Sequence, residues 1–129
     1  MNKKILISAS ILGMLAVILG AFAAHGLENK VTEDAIETFQ TGVRYQMYHA
    51  LLLLFVAQTS YLRMNVKKVI LYLVIAGVLL FSGSIYGLAT NVLTSFDFKS
   101  IAFITPIGGL LLILSWIVML IGFVKNKEE

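Results

Sequence analysis

The sequence predicts an all-α integral membrane protein: a four-helix bundle with a short amphipathic outer helix between spans one and two. Three observations carry this expectation. Of 129 residues, 59% are hydrophobic and only 13% charged, with a mean hydropathy of +0.91, far from the balance of a soluble globular chain. Charge-free runs of about 20 residues, the length that crosses a ~30 Å hydrocarbon core, recur four times. Lys and Arg gather at alternate ends of those runs, which orients them.

The spans fall at about 5–24, 45–62, 69–89 and 101–124, within one domain of 1–129 that leaves no room for an appended soluble unit. Span one follows Lys3 and Lys4. Its start also fits a secretory signal peptide with Ala21-Phe22-Ala23 as an A-x-A site, but the run is longer than an h-region and three more spans follow. The stretch from Thr32 reads as the outer helix, about 32–43. Thr32 is placed to cap it, Glu33 and Asp34 suit the dipole of its first turn, and Ala35, Ile36, Phe39 and Val43 recur at helical spacing. Beside them lies a polar face of Glu33, Glu37, Gln40 and Arg44, so the helix suits the membrane surface. Gly42 either separates it from span two or lies inside one continuous helix.

Arg63, Lys67 and Lys68 join spans two and three, and Lys125 and Lys127 follow span four. Counting these with Lys3 and Lys4 against Lys30, Arg44 and Lys99, the positive-inside rule predicts a multi-pass protein with both termini cytoplasmic. The net charge of +3 is therefore a topological signal that points to the lipid bilayer, and nucleic acid is not an expected partner. Zero cysteines exclude disulfides, thiolate metal sites and cysteine nucleophiles.

His25 and His49 are the only side chains that ordinarily titrate near neutral pH. The topology predicts both in the outer leaflet, His49 one helical turn below the surface. Each span adds polar groups there, giving a candidate cluster of His25, Arg44, Tyr45, Tyr48, His49, Ser82, Ser84, Tyr86 and Thr105. Polar residues within spans face the bundle interior and pair with one another. The inner half holds Ser8, Ser10, Gln58, Thr59, Ser60, Ser115 and Trp116. A purely structural cluster, fixing packing by hydrogen bonds, is the favoured reading. Two imidazoles fall short of a zinc ligand set unless Glu28 joins them, so no metal is expected. No acid lies within a span, which disfavours a Ser-His-acid hydrolase, and nothing points to a cofactor.

Small residues at Gly20 and Ala24, Gly83 and Gly87, and Gly108-Gly109 permit close helix approach within the chain or, alternatively, at the seam of a homo-oligomer. In Thr105-Pro106, Thr105 is expected to cap a helix starting at Pro106; the alternative is a proline break in a longer helix.

Four stretches then stand out together: Gly20-Ala21-Phe22-Ala23-Ala24-His25-Gly26-Leu27, Thr41-Gly42-Val43-Arg44-Tyr45-Gln46-Met47-Tyr48-His49-Ala50-Leu51, Ser82-Gly83-Ser84-Ile85-Tyr86 and Thr105-Pro106-Ile107-Gly108-Gly109. In this order they resemble the domain-of-unknown-function 423 family, also called uncharacterised protein family 0382, small four-helix membrane proteins whose eukaryotic relatives are transmembrane protein 256. The chain departs at Ala23, where the family often has Gly, and keeps a small residue. The resemblance implies the four-span fold and a bacterial plasma-membrane location, and brings no activity, substrate or cofactor with it.

The sequence thus favours a non-catalytic structural or interaction protein, including one that binds lipid, over an enzyme. The alternative is a small-solute or ion pathway, built by an oligomer because four short helices enclose little volume. An intramembrane enzyme acting on lipid or quinone would have only the two histidines as bases.

Overall fold

The computed structural model describes residues 1–127. They form four helices, α1 Asn2–His25, α2 Glu33–Gln58, α3 Met64–Ala89 and α4 Ile104–Lys125, with two short 3-10 turns at Asn91–Leu93 and Phe98–Ile101. Helices α1, α3 and α4 are long and apolar enough to cross a membrane. The chain is an all-α membrane bundle, and no strand occurs among the described residues.

Helix α1 ends at His25, and Asn29 takes a left-handed backbone (φ 64°) that Asn tolerates better than most residues. This reverses the chain toward Thr32, whose side chain accepts from the Ala35 N–H at 3.1 Å with Glu33 and Asp34 in the first turn. The cap stands where the sequence placed it. The amphipathic stretch then runs without interruption through Gly42 into the second span. Its apolar side packs inward: Phe39 joins Ala23, Leu27 and Ala89 in a small core at this end, flanked by Ile36 and Val43.

Helix α2 ends at Gln58, and α3 begins at Met64, so Lys67 and Lys68 belong to the helix and not to the connecting loop. Before α4, Asn91 organises the loop: its Oδ1 accepts from the Phe98 N–H at 2.7 Å, and Asp97 accepts from the Lys99 N–H at 3.1 Å. The expected Thr105 cap gives way to a different start. Phe103 occupies the N-cap position of helix α4 with no side-chain cap, and the Thr105 hydroxyl is drawn to Ser84 instead. Pro106 lies in the first turn, where a missing N–H breaks no helical hydrogen bond.

Packing follows chain order, α1 against α2, α2 against α3 and α3 against α4. The last pair approaches closest: a Cβ at Gly108 would lie 2.2 Å from the Phe81 backbone nitrogen, so only glycine permits that backbone contact. Gly83, by contrast, faces open space. The main core lies nearer the lysine-rich end and centres on Ile5, Leu53, Val56, Ile70 and Val74.

Candidate functional site

Hydrogen bonds between helices fix the depth of each polar group. Gln40 Nε2 donates to the Gly20 carbonyl at 3.5 Å and Gln46 Nε2 to the Leu12 carbonyl at 2.8 Å, so α2 runs antiparallel to α1 with Gln46 opposite its middle. At 1.5 Å per residue, Leu12 lies about 20 Å along the axis from His25. His49 is one turn beyond Gln46, further still from that end. This corrects the expected shared position: His49 lies near the middle of the bundle's length, well away from the end that carries His25, and the two histidines share no pocket. The expectation began span two at Tyr45, whereas α2 begins at Glu33 and is already paired with α1 at Gln40.

His49 is buried, with 4% of its surface exposed. Its Nδ1 lies 2.7 Å from the Tyr45 carbonyl, and its Nε2 lies 3.1 Å from Trp116 Nε1. A carbonyl only accepts and an indole N–H only donates, so Nδ1 carries the proton and Nε2 receives. Both ring nitrogens of the neutral imidazole are used. A proton added at Nε2 would have to displace the Trp116 N–H. Trp116, assigned by sequence to the inner half apart from the cluster, is the partner that hydropathy could not reveal.

Gln46 is the other residue the sequence did not single out. It is 4% exposed, and its Oε1 accepts from the Tyr86 hydroxyl at 2.6 Å while its amide nitrogen reaches Leu12. One side chain thereby ties α1, α2 and α3. Tyr86 also stacks near Phe39, with ring centroids 4.7 Å apart, in the space that Gly42 leaves open; a Cβ there would meet Tyr86 at 2.7 Å. Ser82, fully buried, donates to the Gly42 carbonyl at 2.8 Å. Ser84 donates to the Phe81 carbonyl at 3.0 Å, so the Thr105 hydroxyl, 2.5 Å away, is the donor of their shared bond.

The remaining candidates stand apart. His25 is exposed at the last turn of α1. Arg44 reaches back along the α2 surface to Thr41 Oγ1 at 3.0 Å and Glu37 at 3.7 Å, carrying its charge toward the loop end as a snorkelling side chain does. Tyr45 and Tyr48 are exposed, their rings 5.6 Å apart, and Tyr45 leans on Phe81 at 5.1 Å. The expected single cluster is thus divided among hydrogen bonds of His49 with Trp116, Gln46 with Tyr86, Ser82 with the Gly42 carbonyl and Ser84 with Thr105, plus surface residues. Among the described residues no three His, Cys, Asp or Glu side chains gather as a metal site would require.

A further polar contact lies at the lysine-rich end. Lys67 is 5% exposed and its ammonium donates to Asn2 Oδ1 at 3.2 Å and to the Ala57 carbonyl at 3.3 Å. It closes the C-terminal turn of α2, where a cation is favoured by the helix dipole. Its place in a basic pattern had marked Lys67 only as a topological signal.

A helical membrane bundle whose buried polar groups bind helix to helix is the class that fold and site define. The chain belongs to the family described as "Protein of unknown function (DUF423)", whose model matches residues 19–109. It is 40% identical over 125 residues to the UPF0382 membrane protein YwdK of Bacillus subtilis, covering 95% of this chain and 98% of that one. It is 37% identical over 131 residues to a UPF0382 membrane protein of Haemophilus influenzae, covering 99% of each. The UPF0382 inner membrane protein YgdD of Escherichia coli is 36% identical over 132 residues, covering 99% of this chain and 95% of its own. No solved structure matches.

Proposed function

We propose that this integral membrane protein has a non-catalytic structural or interaction role in the bacterial plasma membrane, with both termini in the cytoplasm. The observation that carries the reading is the occupation of both ring nitrogens of His49 by Tyr45 and Trp116. A general base or proton relay needs a nitrogen free to face substrate or water, and this imidazole instead fastens α2 to α4. Gln46 is committed in the same way. The orientation rests on seven basic residues at one end against three at the other, and the location on relatives named as membrane proteins.

The partner that suits this reading is a second copy. Tyr45 and Tyr48 leave α2 near mid-depth, and neither phenol has a hydrogen bond among the described residues. Acyl chains offer no acceptor. A phenol both donates and accepts, so in a two-fold contact Tyr45 of one copy and Tyr48 of the other satisfy each other.

Proteoliposomes test the role directly. Replacing His49 by Gln is expected to lower stability while proton and ion flux stays at the level of empty vesicles for both proteins. A flux present in the parent chain and lost in a well-folded H49Q variant would overturn the reading. Cysteine crosslinking from position 48 is expected to give dimers in membranes; monomer alone would remove the two-fold contact.

A further inference from the structure

The end of the bundle that carries the lysines contains a cavity of about 810 Å³ between the α2–α3 connection and the last turns of α4. Leu62, Val66 and Ile121 form an apolar wall, and Arg63, Lys125 and Lys127 supply three cations. All three basic residues are exposed, and among the described residues no Asp or Glu lines the space. The volume lies within the roughly 300–1,000 Å³ of ligand sites.

We propose that this cavity binds the phosphate headgroup of an anionic membrane phospholipid, with the start of its acyl chains against the apolar wall. The chemistry of the lining selects an amphiphile. Three cations with no facing acid among the described residues favour a phosphate, and basic pockets between helices at the membrane surface hold anionic headgroups in this way. In the opening turn of α3, Arg63 supplies no side-chain cap and Asn65 Oδ1 holds only the Val66 N–H at 3.0 Å, which leaves the other first-turn N–H groups at the same place. Val66 and Ile121 continue along α3 and α4 into the hydrocarbon, the direction that acyl chains take. On the far side, Asn126 Nδ2 donates to the Tyr61 carbonyl at 2.5 Å and anchors the end of α4 to the connecting loop. A zwitterionic lipid adds a cation that this lining repels, and a free phosphate leaves the wall uncovered. The site is independent of the His49 and Gln46 bonds and of which face of the membrane it occupies.

Other lysines at this end provide the control. Lys3, Lys4 and Lys68 are exposed and lie outside the cavity lining, so they contribute general surface potential alone. The full chain, purified in a neutral detergent, would be titrated with phosphatidylglycerol, phosphatidylcholine and glycerol phosphate, and bound lipid counted by native mass spectrometry. Phosphatidylglycerol is expected to bind most tightly, and R63Q/K125Q/K127Q to weaken it by about tenfold or more, as removal of three near-surface cations implies. K3Q/K4Q/K68Q is expected to retain it within about twofold, because its charges lie beyond the bound headgroup. Equal loss in the two triple variants would reduce the effect to general charge and overturn the site, as would equal binding of the two lipids. Glycerol phosphate binding as tightly as the lipid would overturn the lipid assignment. Circular dichroism and thermal melting in detergent alone would establish that both variants are folded.

Discussion

Trp116 donates its indole N–H to His49 Nε2 at 3.1 Å, with the two rings nearly perpendicular and their centroids 6.2 Å apart. The bond links α2 to α4 across a bundle in which α2 otherwise packs on α1 and α3, and α4 on α3. It also assigns the imidazole tautomer, since the Tyr45 carbonyl holds the other nitrogen.

The pair is therefore expected to be energetically coupled. A double-mutant cycle with H49L and W116F, read from reversible unfolding in detergent, should give a coupling of about 0.6–1.7 kcal/mol, the range of interhelical hydrogen bonds in membranes. A coupling indistinguishable from zero would mean that the bond adds nothing to the bundle.

Gln46 connects three helices and Tyr86 two, which ranks their substitutions. Q46L removes the acceptor of the Tyr86 hydroxyl and strips Leu12 of its extra donor, with an expected cost of about 2–3 kcal/mol. Y86F removes one hydroxyl and keeps the ring against Phe39, and should cost about 1 kcal/mol. The same unfolding assay measures both, and Y86F proving the more damaging would contradict this order.

Glycine positions separate close packing from open surface. G108A drives a methyl group into the Phe81 backbone and should cost about 3 kcal/mol by forcing α3 and α4 apart. G83A, whose new methyl meets nothing within 4 Å, should lie within about 0.5 kcal/mol of the parent. Comparable melting temperatures for the two variants would refute the assignment of Gly108 as the contact point.

Lys67 tests the lysine-rich end. K67M keeps the length of the side chain but removes both donors, to Asn2 Oδ1 and to the Ala57 carbonyl, for an expected loss of about 1.5–3 kcal/mol. N2A removes one acceptor and should cost less. Hydrogen exchange would localise the effect to the last turn of α2, and a uniform change across the chain would argue against a capping role.

Much of the architecture was legible in the residues. Four apolar runs gave four helices, and Thr32 with Glu33 and Asp34 gave the start of α2, because hydropathy and capping are local properties. The resemblance carried by the Gly20, Thr41, Ser82 and Thr105 stretches led to the family. Depth was less legible. Whether Gln46 faces Leu12 or a residue two turns away depends on how α1 and α2 slide against each other, and that register leaves no trace in either helix alone. The same ignorance separated His49 from Trp116 and joined His25 to a cluster it does not enter. Thr105 shows a second limit: a residue suited to cap a helix was taken by Ser84, a tertiary partner 21 positions away.

Helix α2 differs from its neighbours in one respect that bears on biogenesis. It crosses the bundle between α1 and α3, yet it is not among the helices apolar enough to qualify as a span by themselves. Gln46, His49 and Arg44 would each penalise its partition from the translocon into lipid as a lone segment. Their partners lie on α1, on α3 and α4, and on the opening turns of α2 itself. The second helix should therefore enter the bilayer as part of an assembling unit, with membrane integration and tertiary folding as one event. Insertion assays on α2 alone and on α1 through α4 would separate the cases, with efficient insertion of the isolated helix contradicting this order of assembly.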